Sequence, residues 1–255
     1  MAKQLLILTC EICGEKFEAH ARRKIVHCRK CAEKLRRKRL GSIQIRGKPV
    51  ANAVLIKSEA KEIHWERSEK DLIYYLKRFN RFPKYDCVVP SEPDKISDED
   101  RRIANQIAAR MSAETWAPIV GESIAQIGDW DLFGMNDLEW QSRKGVVHDV
   151  LAKLLRHSGI GVARLTKALH RKRPKLIPIC DSVLLEALRV DFGSKADRIV
   201  TCMDRLRIFG RKYFPRLQAL RELSKHLQTE MTELRMLELL YWVQFGPFPP
   251  TSKKS

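Results

Sequence analysis

The sequence predicts a mainly α-helical protein with a small, metal-held module at its N-terminus. Three observations lead there. From residue 64 onward, apolar residues recur at helical spacing in a succession of capped stretches. Within the first 41 residues, four cysteines fall into two CxxC pairs. The chain also carries 49 lysines and arginines against 31 aspartates and glutamates, and its net charge of +18 points to a polyanionic partner.

Residues 1–41 read as the zinc module, with "LLILTC" as a strand, "EICGEKF" as a turn, "KIVHC" as a second strand and "AEKLRRKRL" as a basic helix closed by Gly41. Cys10, Cys13, Cys28 and Cys31 have the spacing by which two tight knuckles offer four thiolates to one tetrahedral Zn²⁺. A module of about 40 residues encloses too little apolar area to fold unaided, so the metal would be its core. Four cysteines leave no open coordination position, which makes this zinc structural. His20 and His27 are spare: His27, beside Cys28, could replace a ligand, though a supporting or surface role fits it better. Paired cysteines of this kind imply a reducing compartment, and no apolar run approaches the roughly 20 residues of a membrane helix. A soluble, cytoplasmic protein without a membrane partner is expected.

Residues 42–63 form a connector, with β-branched runs around Gly47 and Pro49 that allow one hairpin. The body spans residues 64–250. "SEKDLIYYLKRF" starts on Ser68 and Asp71 as a capping box, and "SDEDRRIANQIAARM" follows Ser97 with three carboxylates at the favoured end of the helix dipole. Further helices fit "ETWAPIVGESIAQI", "GVVHDVLAKLLRH", "VARLTKALHR", "SVLLEALRV", "KADRIVTCMDRLRIFGRKYF", "RLQALRELSKHL" and "MTELRMLELLYWVQ". Between the first two helices "RFPKYDCVVPSEPDKI" is a long loop, and residues 251–255 are a disordered tail.

Residues 157–188, "HSGIGVARLTKALHRKRPKLIPICDSVLLEAL", concentrate the chemistry. Gly159 and Gly161 permit a tight turn between two helices, and its amides, with that of Ile160, suit a phosphate oxygen. Arg164, Lys167 and Arg171 recur at helical spacing opposite Val162, Leu165 and Leu169, so one face reads as basic and the other as core. Asp181 then follows a proline-containing apolar stretch at the start of the next helix.

"LLRHSGIG" followed by "IPICDSV" resembles the helix-hairpin-helix DNA glycosylase superfamily, in its endonuclease III-like and adenine-mismatch branches. The resemblance covers some 40 residues closely and the helical body in outline. It implies a glycosylase-like helical fold and assigns Asp181 as the catalytic carboxylate, with Gly159, Ile160, Gly161, Arg164, Lys167 and Arg171 on DNA. An enzyme of this kind flips a nucleotide out of the duplex and cleaves its N-glycosidic bond, the aspartate stabilising positive charge on the sugar and directing water. The chain departs from the superfamily at Ala163, where the lyase branch has its Schiff-base lysine, and it lacks the four-cysteine cluster that holds iron and sulfur. A monofunctional hydrolase without an iron–sulfur cluster is therefore expected, leaving an abasic site. Cys87, Cys180 and Cys202 remain as isolated thiols.

Trp116, Trp130 and Trp140 are candidates to stack on a flipped base or wedge into the gap, with Tyr213 beside them, and Asp129, Asp131 and Asn136 are available to read a base edge. The substrate is a damaged or mismatched base in repair, or a hypermodified phage base such as glucosylated hydroxymethylcytosine in antiviral defence. Duplex DNA is the expected partner of a monomeric protein. Two other readings stay open: a zinc-containing DNA-binding protein without chemistry, in which Asp181 only caps its helix, and an RNA- or tRNA-binding protein.

Overall fold

The computed structural model describes residues 5–9, 16–20, 60–79, 85–227, 229 and 231–246. The chain divides into two compact units, 1–57 and 58–255. In the first, β1 (Leu5–Thr9) pairs antiparallel with β2 (Lys16–His20), Leu5 opposite His20 and Thr9 opposite Lys16. The second strand thus begins inside the stretch expected to be a turn, ahead of "KIVHC". Cys10, Cys13, Cys28 and Cys31 lie outside the described residues, as do the basic helix before Gly41 and the tail.

The second unit is helical. Its elements are α1 (Ser68–Arg78), α2 (Asp98–Gln106), α3 (Ala113–Trp116), α4 (Asp137–Leu155), α5 (Val162–Lys172), α6 (Ser182–Ala187), α7 (Lys195–Lys212), α8 (Phe214–His226) and α9 (Glu233–Phe245). Among the described residues, no helix is long and apolar enough to cross a membrane.

Local chemistry accounts for the boundaries. At α1 the Ser68 hydroxyl donates back to the Trp65 carbonyl, 2.8 Å away, and Asp71 accepts from Arg67 and Gln244, so the expected capping box does not form. At α2 it does: the Ser97 amide donates to Asp100 at 2.7 Å. This helix stops at Gln106, short of its expected end, because Ala108 and Arg110 turn left-handed at φ 61° and 52° while the Asn105 amide brackets Met111. The helix expected over 114–127 shrinks to α3 and a 3-10 turn, with Pro118 inside that turn and Gly121 reversing the chain at φ 86°. By contrast α4 begins eight residues ahead of "GVVHDV", at a capping box in which Asn136 accepts from Glu139 at 2.9 Å.

Beside a smaller cluster of Tyr85, Ile103, Ile107 and Ile179, the main apolar cluster draws residues from each of these nine helices among the described residues. Helix α9 sits at its centre, packed on α1, α6, α7 and α8, and is buried almost all round. Trp116 and Trp140 belong to this core. They are 0% and 1% exposed, with their indole N–H groups donating to the Ser97 carbonyl (2.7 Å) and Asp204 (2.5 Å). Neither is placed to wedge into a duplex. Trp130 is half-buried under the Arg143 guanidinium, 4.8 Å from its ring centre. The polar residues beside it serve the backbone: Asp131 accepts from the Phe133 and Gly134 amides, and Asn136 caps α4. Tyr213 stacks on Trp65 at 4.7 Å.

Candidate active site: the hairpin, Lys167 and Asp181

The turn between α4 and α5 uses its two glycines differently. Gly159 has φ 81°, and a Cβ there would lie 2.8 Å from the Thr115 methyl, so both backbone and space demand glycine. Gly161 is the N-cap of α5 at φ −103°, where a Cβ would meet nothing within 4 Å. Ile160 between them is fully buried, and its amide reaches back to the His157 carbonyl at 3.3 Å, so it is not the open donor expected. The carbonyls carry cations: Arg164 donates to Gly159 at 2.7 Å, and Lys195 to Ile160 at 2.9 Å.

The basic stripe of α5 does not form. Arg164 folds onto the hairpin, Lys167 turns inward to the Ile107 carbonyl at 2.7 Å, and Arg171 lies over the Tyr85 ring with its guanidinium on the Val88 carbonyl. Lys172 is buried against Asp100 at 2.9 Å, and Arg173 against the Ile127 carbonyl and Asp94. The cause is α2 with the segment through Tyr85–Asp94, which packs on α5 and supplies carbonyls and carboxylates to side chains that a lone amphipathic helix would send to water.

The segment 177–181 has no regular secondary structure and pairs with no strand among the described residues, and side chains satisfy much of its backbone. The Ile177 carbonyl accepts from His170 Nδ1 at 2.7 Å, the Ile179 amide donates to Glu238 at 2.8 Å, and the Cys180 amide donates to Thr166 Oγ1 at 3.0 Å. Asp181 follows as the N-cap of α6, accepting from the Leu184 amide at 2.9 Å. The cap aims the carboxylate.

Asp181 and Lys167 line one cavity of about 230 Å³, with Ile107, Ala108, Ile179 and Leu239 as apolar wall and Tyr75 and Trp242 as aromatic wall. Tyr75 meets Trp242 edge-on at 6.1 Å, and its hydroxyl accepts from Arg235 at 3.0 Å. Burial raises the Asp181 carboxyl above its usual range, opposed by the Leu184 amide and the Lys167 charge. Burial also lowers the Lys167 ammonium, opposed by Asp181. Each charge opposes the other's shift toward the neutral form. The cavity wall at Ala108 is also left-handed, a strained position beside a charged pair.

Of the site residues expected from the sequence, Asp181 and Lys167 meet in this cavity. Gly159, Ile160, Gly161 and Arg164 make the hairpin, and Arg171 faces another opening. Sequence reasoning missed Tyr75, Trp242, Thr166 and Glu238. Only Glu238 gave a signal, as a carboxylate inside the apolar run "MLELLYW". Among the described residues, no group of three or more His, Cys, Asp or Glu side chains is placed to hold a metal ion, and the four predicted zinc ligands lie outside them.

Fold and site together define a helical protein whose hairpin and cap bring a carboxylate and a lysine to one aromatic-walled cavity. The chain belongs to a family of unknown function, DUF6308, and the match covers residues 101–245, from α2 through α9, with hairpin, Lys167 and Asp181 inside it. No curated protein and no solved structure matches the chain.

Proposed function

We propose that the protein is a monofunctional DNA N-glycosylase. The reading rests most on one observation: Asp181, aimed by the α6 cap, lines a cavity of about 230 Å³ beside Lys167 and the rings of Tyr75 and Trp242. A base rotated from the duplex stacks on the rings, the Lys167 charge opposes the rise that burial gives Asp181, and the carboxylate stabilises charge on the sugar and directs water to C1′. The hairpin at Gly159 and Gly161 takes the backbone, with the N-terminus of α5 and Arg164 facing phosphate. A cavity this small suits a bare base better than one bearing a hexose, which favours a damaged or mismatched base over a glucosylated one. The zinc module, held by Cys10, Cys13, Cys28 and Cys31, adds to the cationic surface offered to the duplex.

One observation favours a second reading. Burial pushes Lys167 toward the neutral amine, which can attack C1′, expel the base as an imine forms and cut the strand by β-elimination of the 3′ phosphate. Oligonucleotides with single damaged or mismatched bases test both. Strand cleavage that requires added alkali supports hydrolysis, borohydride trapping of a covalent complex supports the amine, and no base release from any of them leaves a binding protein.

A further inference from the structure

The turn from Ile107 to Met111, between α2 and α3, borders the Asp181 cavity in an unusual conformation. Ala108 and Arg110 are both left-handed, at φ 61° and 52°, where glycine is the residue that fits without strain. The turn is nonetheless firmly held. The Ala109 amide donates to the Ala104 carbonyl at 3.2 Å, and the Asn105 side chain accepts from the Met111 amide at 2.9 Å and donates to the Met111 carbonyl at 3.0 Å. Ala109 and Met111 are buried in the core, while Ala108 and Arg110 are exposed. Ala108 lines the cavity, and the Ile107 carbonyl accepts from the Lys167 ammonium at 2.7 Å.

Arg110 is the side chain this turn presents. Its guanidinium makes no hydrogen bond or ion pair among the described residues, yet it lies close enough to Lys167 for its charge to disfavour the ammonium. Arg110 therefore adds a positive charge to a cavity edge where Lys167 already faces Asp181. A left-handed arginine set against a like charge costs stability, and an anionic ligand is what offsets that cost.

We infer that Arg110 grips a DNA phosphate next to the flipped nucleotide, an inference that rests on the glycosylase reading of the same site. With the base on the rings of Tyr75 and Trp242 and the sugar at Asp181, a flanking phosphate is the anion that the substrate itself brings to this edge. The guanidinium takes it through two parallel hydrogen bonds, and the phosphate charge offsets that of Arg110 at Lys167.

Anisotropy titrations of the full chain on a duplex with one mismatched base, over a range of KCl concentrations, test this beside melting curves. Glycine suits a φ of 52°, so the melting temperature of Arg110→Gly should stay within about 3 °C of the natural protein's. Its duplex affinity should fall about tenfold. The slope of log affinity against log salt should become shallower by about 0.9, the value for one phosphate contact. Arg110→Lys keeps the charge and should keep the slope. Arg189→Gly, at the other exposed left-handed arginine among the described residues, should leave the slope unchanged. A larger fall in melting temperature or an unchanged slope in Arg110→Gly, an equally shallow slope in Arg110→Lys, or an equal change in Arg189→Gly overturns the inference. So does a natural protein that binds no duplex, whereas one that binds with these differences and releases no base fails only the glycosylase reading.

Discussion

The Cys180 amide donates to the Thr166 hydroxyl at 3.0 Å, tying the residue before Asp181 to the residue before Lys167. Both partners are buried, and the hydroxyl itself donates to the Val162 carbonyl at 2.9 Å. This hydroxyl, with the Glu238 and His170 bonds to the same segment, sets the spacing of the two charged groups. Thr166→Val keeps the shape and leaves the Cys180 amide unpaired. Chemical denaturation should show a loss of about 1–3 kcal/mol, and base release should fall further than that loss accounts for.

Asp181→Asn separates capping from chemistry. Asparagine caps as well as aspartate and removes a carboxylate that burial makes costly to ionise. Relief of that burial is offset by the loss of Lys167's counter-charge, so the variant should unfold within about 1 kcal/mol of the natural protein while losing activity. Asp181→Ala, lacking the cap, should lose about 1 kcal/mol instead.

The glycines should divide in the same way. Gly159→Ala places a Cβ against Thr115 in a left-handed conformation and should cost about 1–3 kcal/mol. Gly161→Ala meets no obstacle and should leave thermal stability nearly unchanged. Its predicted deficit is in duplex binding at fixed salt, because in the proposed complex the added methyl would stand against the DNA backbone.

Glu238 sets a pH dependence of stability. Burial pushes its carboxyl from the ordinary 4.5 up to about 8, with Arg235 and the Ile179 amide opposing. Between these values the folded state holds a proton that the unfolded chain has released. Unfolding free energy should therefore fall as pH rises from about 5 to 8, by at most about 1.4 kcal/mol per pH unit for this group. Asp86, Asp100 and Asp181 are raised as well and act with the same sign, whereas His170, kept neutral by burial, acts with the opposite sign below about pH 6.5, so the fall is clearest from about 6.5 to 8. Urea titrations across that range should show the slope, and Glu238→Gln should flatten its upper part.

Zinc removal should act on the first unit alone. Elemental analysis should find one Zn²⁺ per chain, absent from the Cys28→Ser/Cys31→Ser variant. A chelator should expose residues 1–57 to protease while the helical unit stays resistant.

Much of the helical body was legible in the sequence, because the cap at Ser97 and the apolar periodicity of each helix are local signals. Helix ends decided by tertiary contacts were not. Neither the left-handed Ala108 nor the short α3 follows from propensity. The site was half legible. Asp181 and the hairpin glycines stood out by spacing, whereas Lys167 read as a phosphate contact because its true neighbour, the Ile107 carbonyl, is 60 residues away in the chain. Trp116 and Trp140 looked available only because sequence does not show that Ser97 and Asp204 already occupy their N–H groups.

Single-turnover base release is the most direct test of the central claim. The full chain is mixed in excess with duplexes bearing single damaged or mismatched bases, and free base is measured alongside alkali-labile sites, for the natural protein and for Asp181→Asn. The account predicts release from at least one duplex, a fall of about 10²–10⁴ in Asp181→Asn, and unchanged duplex affinity. Equal release by the two proteins, or none by the natural one, would contradict it.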